Sequence, residues 1–332
     1  MSYTNGLDNP ELYFQCKLYT GNGTDDTSYT FDGSEDMQPD LLWFKERSST
    51  SDHALWDSVR GTNKKLEPST TQADSTEDVI TFDSDGFSVD DHSQINQNTI
   101  TMVCWAWKET ATAGFDIVSF TGNATNRTIS HSLSAVPHLI IVKNRADAEN
   151  WTVYHGANTS APETDFLHLN TTAATSDSNT PWNDTAPTSS VFTVGTSGKT
   201  NGNTHGMIAY CFSEKQGFSK FGSYTGNGNA DGTFIYTGFR PAYLLVKRTD
   251  STGDWYIFDN KITPSNQVQS YQNSNKAEAD HDVSAYYMDI LSNGFKWRGS
   301  GSELNASGGT YIYAAFAEAS FVNSKGVPCN AR

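Results

Sequence analysis

The chain repeats one short turn three times, and this repeat decides how the rest of the sequence is interpreted. The three versions are Tyr19-Thr20-Gly21-Asn22-Gly23, Phe120-Thr121-Gly122-Asn123-Ala124 and Tyr224-Thr225-Gly226-Asn227-Gly228. Each version is followed by a proline that begins an apolar run ending in lysine: Pro39 to Lys45, Pro137 to Lys143 and Pro241 to Lys247. The spacing from proline to lysine is six residues in every copy. The two landmarks therefore belong to one repeating pattern.

Further landmarks keep the same order in all three copies. A strand-like run begins fourteen residues after each proline, at His53, Trp151 and Trp255. A phenylalanine then follows a turn, at Phe87, Phe192 and Phe295. Each copy closes on an apolar run that ends in glutamate, at Glu109, Glu214 and Glu318, so the period is about 105 residues. The sequence therefore predicts three diverged copies of one unit.

The local pattern of each copy is typical of β-strands. The apolar runs are four to eight residues long and lie between Gly, Asn, Asp, Ser or Thr residues. No segment carries an apolar 3.6-residue period for three turns. We predict an all-β chain of three tandem antiparallel β-sandwich (jelly-roll-like) repeats, at residues 1–110, 111–216 and 217–332, the last with a C-terminal tail. The linkers at 110–113 and 215–217 are short, so the three units are expected to touch.

Charge and hydropathy argue against two classes of partner. The net charge is −16, from 38 acidic and 22 basic residues. A protein that binds nucleic acid needs a basic surface, so we expect no nucleic-acid partner. No apolar run approaches the length of a membrane span, and the first fifteen residues lack the basic and apolar regions of a signal peptide. We therefore expect no membrane insertion and synthesis in a cytoplasm.

The four cysteines do not form a recognisable site. Cys16, Cys104, Cys211 and Cys329 include no C-x-x-C pair, so no zinc site is predicted. Cys104 aligns with Ala209 in the repeat, whereas a disulfide framework would keep its cysteines in register. We predict buried thiols that act as small apolar side chains.

Motifs for catalysis and cofactor binding are missing from the sequence. No G-x-S-x-G, H-E-x-x-H or Walker-type loop occurs, so we predict no catalytic residue, no cofactor and no metal site. Asp83-Ser84-Asp85-Gly86 is similar to part of a calcium loop. An EF-hand would place a glutamate six residues after the glycine, where this chain has His92. A hairpin turn is the favoured interpretation, with a calcium ion as the alternative.

The register also predicts core and contact residues. Trp107, Phe212 and Phe316 should occupy one equivalent buried position, as should Phe87, Phe192 and Phe295. Trp182 has no aromatic counterpart in the other copies, and it is the best candidate for an exposed contact residue. The polar stretches 171–188 and 260–282 differ between copies, so we expect surface loops that face a partner.

Several longer stretches resemble a known family. They are the YTGNG turns, PHLIIVKNR with WTVYH after it (137–155), WNDTAPTSSVF (182–192), and the segment from GSYTGNGNADG (222–232) to GTYIYAAFAEASFVNSKGVPCNAR (309–332). They resemble an uncharacterised repeat-domain family of virion and tail-fibre-like structural proteins of marine tailed phages, including cyanophages and pelagiphages. The resemblance runs from about Glu11 to Arg332. It offers no catalytic residue to transfer. A typical fibre protein has a long stem, and because only some ten residues precede the first copy we expect no such stem here, which keeps a decoration role open.

The resemblance implies a structural protein rather than an enzyme. We expect a virion component of the tail or adsorption apparatus, with other virion proteins as partners, a homo-oligomer (a trimer for a fibre-like protein) and contact with a host-surface glycan. A capsid-surface decoration protein is the alternative. A glycan-cleaving depolymerase is the alternative of another class, and it needs two carboxylates that flank the scissile bond. Asp116 and Asp289 are unpaired candidates, because the other acidic residues considered recur in more than one copy.

Overall fold

The structure of the protein is a computed structural model, and it describes residues 7–319. It is an all-β structure, with 39% of residues in strands and 7% in helices, and it contains several antiparallel sheets. Within the described residues, no helix has the length and apolar character needed to cross a membrane. Cys329 and the end of the predicted third unit lie outside the described residues.

The strands fall into three successive groups. The first group is β1 (Phe14–Thr20), β2 (Thr27–Tyr29), β3 (Leu41–Glu46), β4 (Ala54–Asp57), β5 (Lys64–Lys65), β6 (Ser75–Thr76), β7 (Ile80–Phe82), β8 (Phe87–Val89) and β9 (Thr101–Trp107). The second is β10 (Phe115–Thr121), β11 (Arg127–Ser130), β12 (Leu139–Asn144), β13 (Thr152–His155), β14 (Asp165–His168), β15 (Ser176–Asp177), β16 (Val191–Val194) and β17 (Gly206–Phe212). The third is β18 (Ser219–Thr225), β19 (Phe234–Tyr236), β20 (Tyr243–Arg248), β21 (Trp255–Asp259), β22 (Ser270–Asn273), β23 (His281–Asp282), β24 (Met288–Leu291), β25 (Gly294–Trp297) and β26 (Thr310–Phe316).

The helical segments are single turns. Three are α-helical, at Asn179–Trp182, Gly198–Asn201 and Ser302–Asn305. The described residues also include 3₁₀ turns at Pro10–Leu12, Pro162–Thr164 and Ser284–Tyr286. We call the three groups of strands, with the turns between them, lobes 1, 2 and 3.

Each lobe contains one large sheet with the same strand placement. The large sheets have the orders β1-β9-β3-β4, β10-β17-β12-β13-β14-β15 and β18-β26-β20-β21-β22-β23. The first and last long strands of each lobe therefore pair. The registers agree, since Phe14 faces Trp107 in lobe 1, Phe115 faces Phe212 in lobe 2, and Ser219 faces Phe316 in lobe 3.

A small sheet covers one face of each large sheet. The small sheets are β2-β8-β7, β11-β16 and β19-β25-β24. Each shares an apolar cluster with its own large sheet, around Phe87, Phe192 and Phe295, which are 0%, 1% and 0% exposed. The opposite faces of all three large sheets contribute to one further cluster at the centre of the molecule. Strands β3 and β12 are consequently buried along their whole length, which explains their continuous apolar sequence.

The glycine-asparagine turns are held by an asparagine that the sequence analysis did not identify. Asn96, Asn201 and Asn305 are at most 1% exposed and occupy the same position in the three copies. In lobe 2 the Asn201 Oδ1 accepts a hydrogen bond of 2.9 Å from Asn123 N, and its Nδ2 donates to Thr125 O and Gly195 O. Matching bonds occur at the other two asparagines. Each asparagine thus satisfies backbone groups that would otherwise be buried without partners.

Candidate functional site

The three lobes meet at three equivalent aromatic residues. Trp107 and Phe212 have ring centroids 6.5 Å apart, and each lies 5.6 Å from the ring of Phe316. Their exposed fractions are 3%, 5% and 3%, so the prediction that they are buried is confirmed. The structure adds that they contact one another. The lobes are therefore arranged around a common centre with approximate threefold symmetry, and not in a row.

A second layer of equivalent residues links the lobes by hydrogen bonds. The Trp105 Nε1 of lobe 1 donates to the Asp259 Oδ2 of lobe 3 at 3.0 Å, and the Tyr210 hydroxyl of lobe 2 donates to the Asp57 Oδ2 of lobe 1 at 2.6 Å. Lobe 3 has Ala314 at the position of Trp105 and Tyr210. The position of Asp57 and Asp259 is occupied in lobe 2 by His155, whose Nε2 donates to Tyr313 O of lobe 3 at 3.1 Å.

The charged and polar groups in this layer are buried, and burial shifts their pKa values. Burial raises the pKa of Asp259 to about 6 and lowers the pKa of His155 to about 4. Asp57 also accepts a 2.5 Å bond from the Arg60 Nε, and both of these side chains are fully buried. The polar atoms are engaged in contacts between and within lobes, which is the pattern of a structural network.

Three equivalent lysines, each 0% exposed, reach from one lobe to the next. The Lys45 Nζ donates to Ala277 O at 3.2 Å, the Lys143 Nζ to Thr71 O at 3.1 Å, and the Lys247 Nζ to Thr172 O at 3.2 Å. Burial lowers the pKa of each to about 8. A lysine with such a pKa can serve as a nucleophile in an enzyme. Here all three amines are bonded to backbone carbonyls in the same way, so their common role is structural.

Ring nitrogens of three equivalent side chains also form hydrogen bonds between lobes, next to those of the lysines. His53, Trp151 and Trp255 hold one repeat position, and each donates to a carbonyl of a neighbouring lobe. The acceptors are Asn273 O at 3.0 Å, Glu67 O at 3.1 Å and His168 O at 2.9 Å. These carbonyls precede the lysine-bonded carbonyls by four residues in each lobe. One short segment of every lobe therefore contacts the next lobe through the same two acceptors.

We call these segments the arms, at residues 67–74, 168–175 and 273–280. Backbone bonds fix them further: Asp74 N donates to Arg145 O, Thr175 N to Thr249 O, and Asp280 N to Arg47 O, at 3.0, 3.0 and 2.8 Å. Two arms also form ion pairs of 2.8 Å, Arg145–Asp74 and Arg47–Asp280. The arm of lobe 1 lies on lobe 2, that of lobe 2 on lobe 3, and that of lobe 3 on lobe 1. The contacts close a ring.

This closure corrects the interpretation of the two long polar stretches. Residues 171–175 and 273–280 were expected to face an external partner, but they belong to the arms and contact a neighbouring lobe of the same chain. The longest mainly exposed runs within these stretches are shorter, at 184–188 and 264–267. Sequence divergence between copies in the arms is explained by their differing neighbours, for example Asp74 against Arg145 and Thr175 against Thr249.

Trp182 is also placed differently from the expectation. The side chain is 2% exposed, so the prediction of an exposed contact residue is wrong. The Ser178 side chain caps the helical turn Asn179–Trp182, and this turn directs the indole into the lobe 2 core. The ring lies edge-on to Tyr154 at 6.1 Å. A helical turn inserted before β16 supplies this core aromatic, which explains why the other copies show no counterpart.

The carboxylates considered for glycan cleavage are engaged in local contacts. Asp289 pairs with Arg298 at 2.6 Å. Asp116 accepts bonds from the Ser132 backbone and hydroxyl and lies beside Glu109, whose pKa burial raises to about 7. At the next linker the matching pair is Glu214 and Lys220, an ion pair of 2.7 Å. Asp116 and Glu109 lie in direct contact, so they do not flank a space that would admit a scissile bond.

The acidic turn considered for calcium and the cysteines have structural positions. Asp83 accepts from the Ser88 and Thr81 hydroxyls, and Asp85 accepts from Met37 N, in the manner of a hairpin turn. No group of three or more metal-ligating side chains converges within residues 7–319. Cys16, Cys104 and Cys211 are free and buried, which confirms the prediction for these three.

The large exposed apolar side chains include an aromatic pair on lobe 3. Tyr236 and Phe234 are 62% and 43% exposed, and both lie on β19. Within residues 7–319, the other large apolar side chains of comparable exposure are the single valines Val59, Val136 and Val283. The sequence offered a signal for this pair, since the aligned positions in lobes 1 and 2 hold only Ser or Thr.

One known family matches almost the whole of the described chain. Residues 9–320 match the family described as Domain of unknown function (DUF7483). The chain belongs to this family. The DUF7483 match spans all three lobes and the ring of arms that joins them. No curated protein matches the sequence.

Proposed function

We propose that this DUF7483 protein is a structural component of a phage particle, in the tail or adsorption apparatus, and is not an enzyme. The resemblance of the sequence to virion proteins of marine tailed phages supports the location. The closed ring of lobes supports the structural role, because its buried charged groups are used to join one lobe to the next.

The single observation that carries the structural role is the repeated arm contact. Each arm meets the next lobe through a buried lysine, a ring nitrogen and a backbone amide. A protein that must withstand conditions outside a cell benefits from such closure, because within residues 7–319 each lobe is held by both of its neighbours and its local opening is opposed by their contacts. We further propose that the lobes are three tandem β-sandwich repeats, with the boundaries 1–110, 111–216 and 217–332.

Partners and assembly follow from the same proposal. The protein would be made in the host cytoplasm and would bind other virion proteins. A homotrimer is the proposed assembly. One chain already presents three similar lobes around a centre, so a single chain can also occupy a threefold position on a particle. Light scattering on the purified protein distinguishes a trimer from a monomer.

A capsid-surface decoration protein is the second candidate. The observation that favours it is the compact ring, which has no elongated stem within the described residues. Labelling intact particles with antibody-bound gold tests both candidates. We expect the label at the tail. Label on the capsid faces would favour decoration, and particles without label would contradict a virion role.

A further inference from the structure

The small sheet of lobe 3 differs from those of lobes 1 and 2 on its outer face. In lobe 3, Ile235 pairs with the buried Phe295, and the flanking residues Phe234 and Tyr236 point outward. The strand partners of the equivalent Phe87 and Phe192 are Tyr29 and Ile129. Their flanking residues are exposed and small: Ser28, Thr30, Thr128 and Ser130. The aromatic pair therefore breaks the repeat and is not required by the fold.

The two rings lie side by side on an edge strand. Residues two apart on a strand share a face and are about 7 Å apart, and β19 is at the end of its sheet. Neither ring stacks on another aromatic ring of residues 7–319, and the Tyr236 hydroxyl has no hydrogen-bond partner among them. By contrast, the ring of Tyr29 on the matching strand of lobe 1 packs against the ring of Tyr19, with centroids 4.1 Å apart, and its hydroxyl donates to Thr20 O.

Charged side chains on and around the neighbouring strand β25 border the rings. Lys296 is the direct partner of Phe234, and its Nζ lies 2.7 Å from the Asp231 Oδ1. Arg298 pairs with Asp289 at 2.6 Å. Two basic groups are thus matched by two acidic groups. The patch is close to neutral, although the chain has a net charge of −16.

We infer that Phe234 and Tyr236, with Lys296, Asp231 and Arg298 beside them, form a binding surface for an uncharged glycan. Exposed aromatic faces stack on the C–H faces of sugar rings, and the adjoining charged groups can donate to and accept from hydroxyl groups. The inference rests on the proposed function, since it names the part of the protein that would contact a host surface.

Size and charge favour this occupant over others. The exposed parts of two aromatic side chains offer on the order of 200 Å², whereas a stable protein interface needs ~800 Å² from each partner. A polyanionic glycan would be repelled by the acidic surface around a neutral patch. A single small site binds weakly, so useful affinity would come from several chains on one particle.

The test uses the intact protein and defined glycans. Purified protein is titrated with cellohexaose, maltohexaose and laminarihexaose as neutral probes, and with an oligogalacturonate as the acidic probe. The variant Phe234→Thr/Tyr236→Ser carries the residues that lobe 2 has at these positions. Val136→Ser, which removes an exposed apolar residue of lobe 2, is the matched control. We expect a neutral probe to bind the parent and the control, and to bind the double variant at least tenfold more weakly.

Other outcomes overturn the inference. These are no binding of any neutral probe, binding of the acidic probe alone, equal binding by the double variant, or self-association of the parent that the double variant loses. The last result would show that the patch joins two copies of the chain. The proposed function is judged separately by the gold label on the particle, so a labelled tail without glycan binding would leave it standing.

Discussion

The Tyr210 hydroxyl donates a 2.6 Å hydrogen bond to the Asp57 Oδ2, although 153 residues separate the two in sequence. This bond crosses from lobe 2 to lobe 1 in a fully buried layer. Its equivalent joins Trp105 of lobe 1 to Asp259 of lobe 3 at 3.0 Å. Contacts of this kind account for the closed arrangement, because a buried hydrogen bond joins each pair of lobes: Tyr210 to Asp57, Trp105 to Asp259, and His155 to the Tyr313 carbonyl.

Replacing Tyr210 with phenylalanine should lower the free energy of unfolding by about 1.5–3 kcal/mol, the usual value of a hydrogen bond to a charged group. Asp57 keeps its bond to Arg60, so the loss is confined to the contact between lobes. Urea denaturation measures the change. Tyr236→Phe removes an exposed hydroxyl and should change the free energy by less than about 0.5 kcal/mol. Equal values for the two variants would contradict the buried contact.

The buried lysines predict a dependence of stability on pH. Burial lowers the pKa of Lys143 from 10.5 to about 8, so between these values the unfolded chain binds more protons than the folded chain. The contribution of this residue to the free energy of unfolding therefore rises with pH in that window. From pH 7.5 to 9.5 the free energy of unfolding of the parent should rise by about 1–2 kcal/mol relative to that of Lys143→Met. Comparing the two proteins cancels the titration of other groups. A difference that is constant with pH would contradict the lowered pKa.

The asparagine under each glycine-asparagine turn should be necessary for stability. Asn201→Ala leaves Asn123 N, Thr125 O and Gly195 O without their side-chain partner. We expect a loss of at least about 2 kcal/mol, because each buried backbone group left unpaired costs about 1–3 kcal/mol. The control is Asn203→Ala, which changes an exposed asparagine two residues away. Chemical denaturation that gives the same midpoint for both variants would refute this role.

Trp182→Ala tests the corrected position of this residue. Because this tryptophan is buried in the lobe 2 core, its truncation should lower the free energy of unfolding by about 3–5 kcal/mol. The same variant of an exposed contact residue would leave stability almost unchanged. Thermal unfolding distinguishes the two, with Val136→Ala as the exposed control. A melting temperature equal to that of the parent would mean that the indole is not in the core.

The sequence was sufficient to predict the strands, the equivalence of residues such as Phe87 and Phe192, and the buried state of Cys104. It was not sufficient to predict how the lobes face each other. A short apolar run such as Leu41–Glu46 indicates burial on both faces, but it does not identify what covers the second face. The same limit applies to the arms. The acceptor for Lys143 is a backbone carbonyl, and because every residue type has one, the sequence does not identify it. The aromatic pair of lobe 3 was detectable as a departure from the repeat, but its exposure depends on the register of β19 with β25.

The most direct test of the closed ring is a double-mutant cycle between Arg47 of lobe 1 and Asp280 of lobe 3, which form an ion pair of 2.8 Å. Arg47→Ala, Asp280→Ala and the double variant are compared by urea denaturation. We expect a coupling energy of about 1 kcal/mol, as for a partly buried ion pair. The equivalent Arg145–Asp74 pair should give a similar value, and the separated residues Arg47 and Asp74 should give none. Additive effects of Arg47→Ala and Asp280→Ala would contradict the closure of lobe 3 on lobe 1.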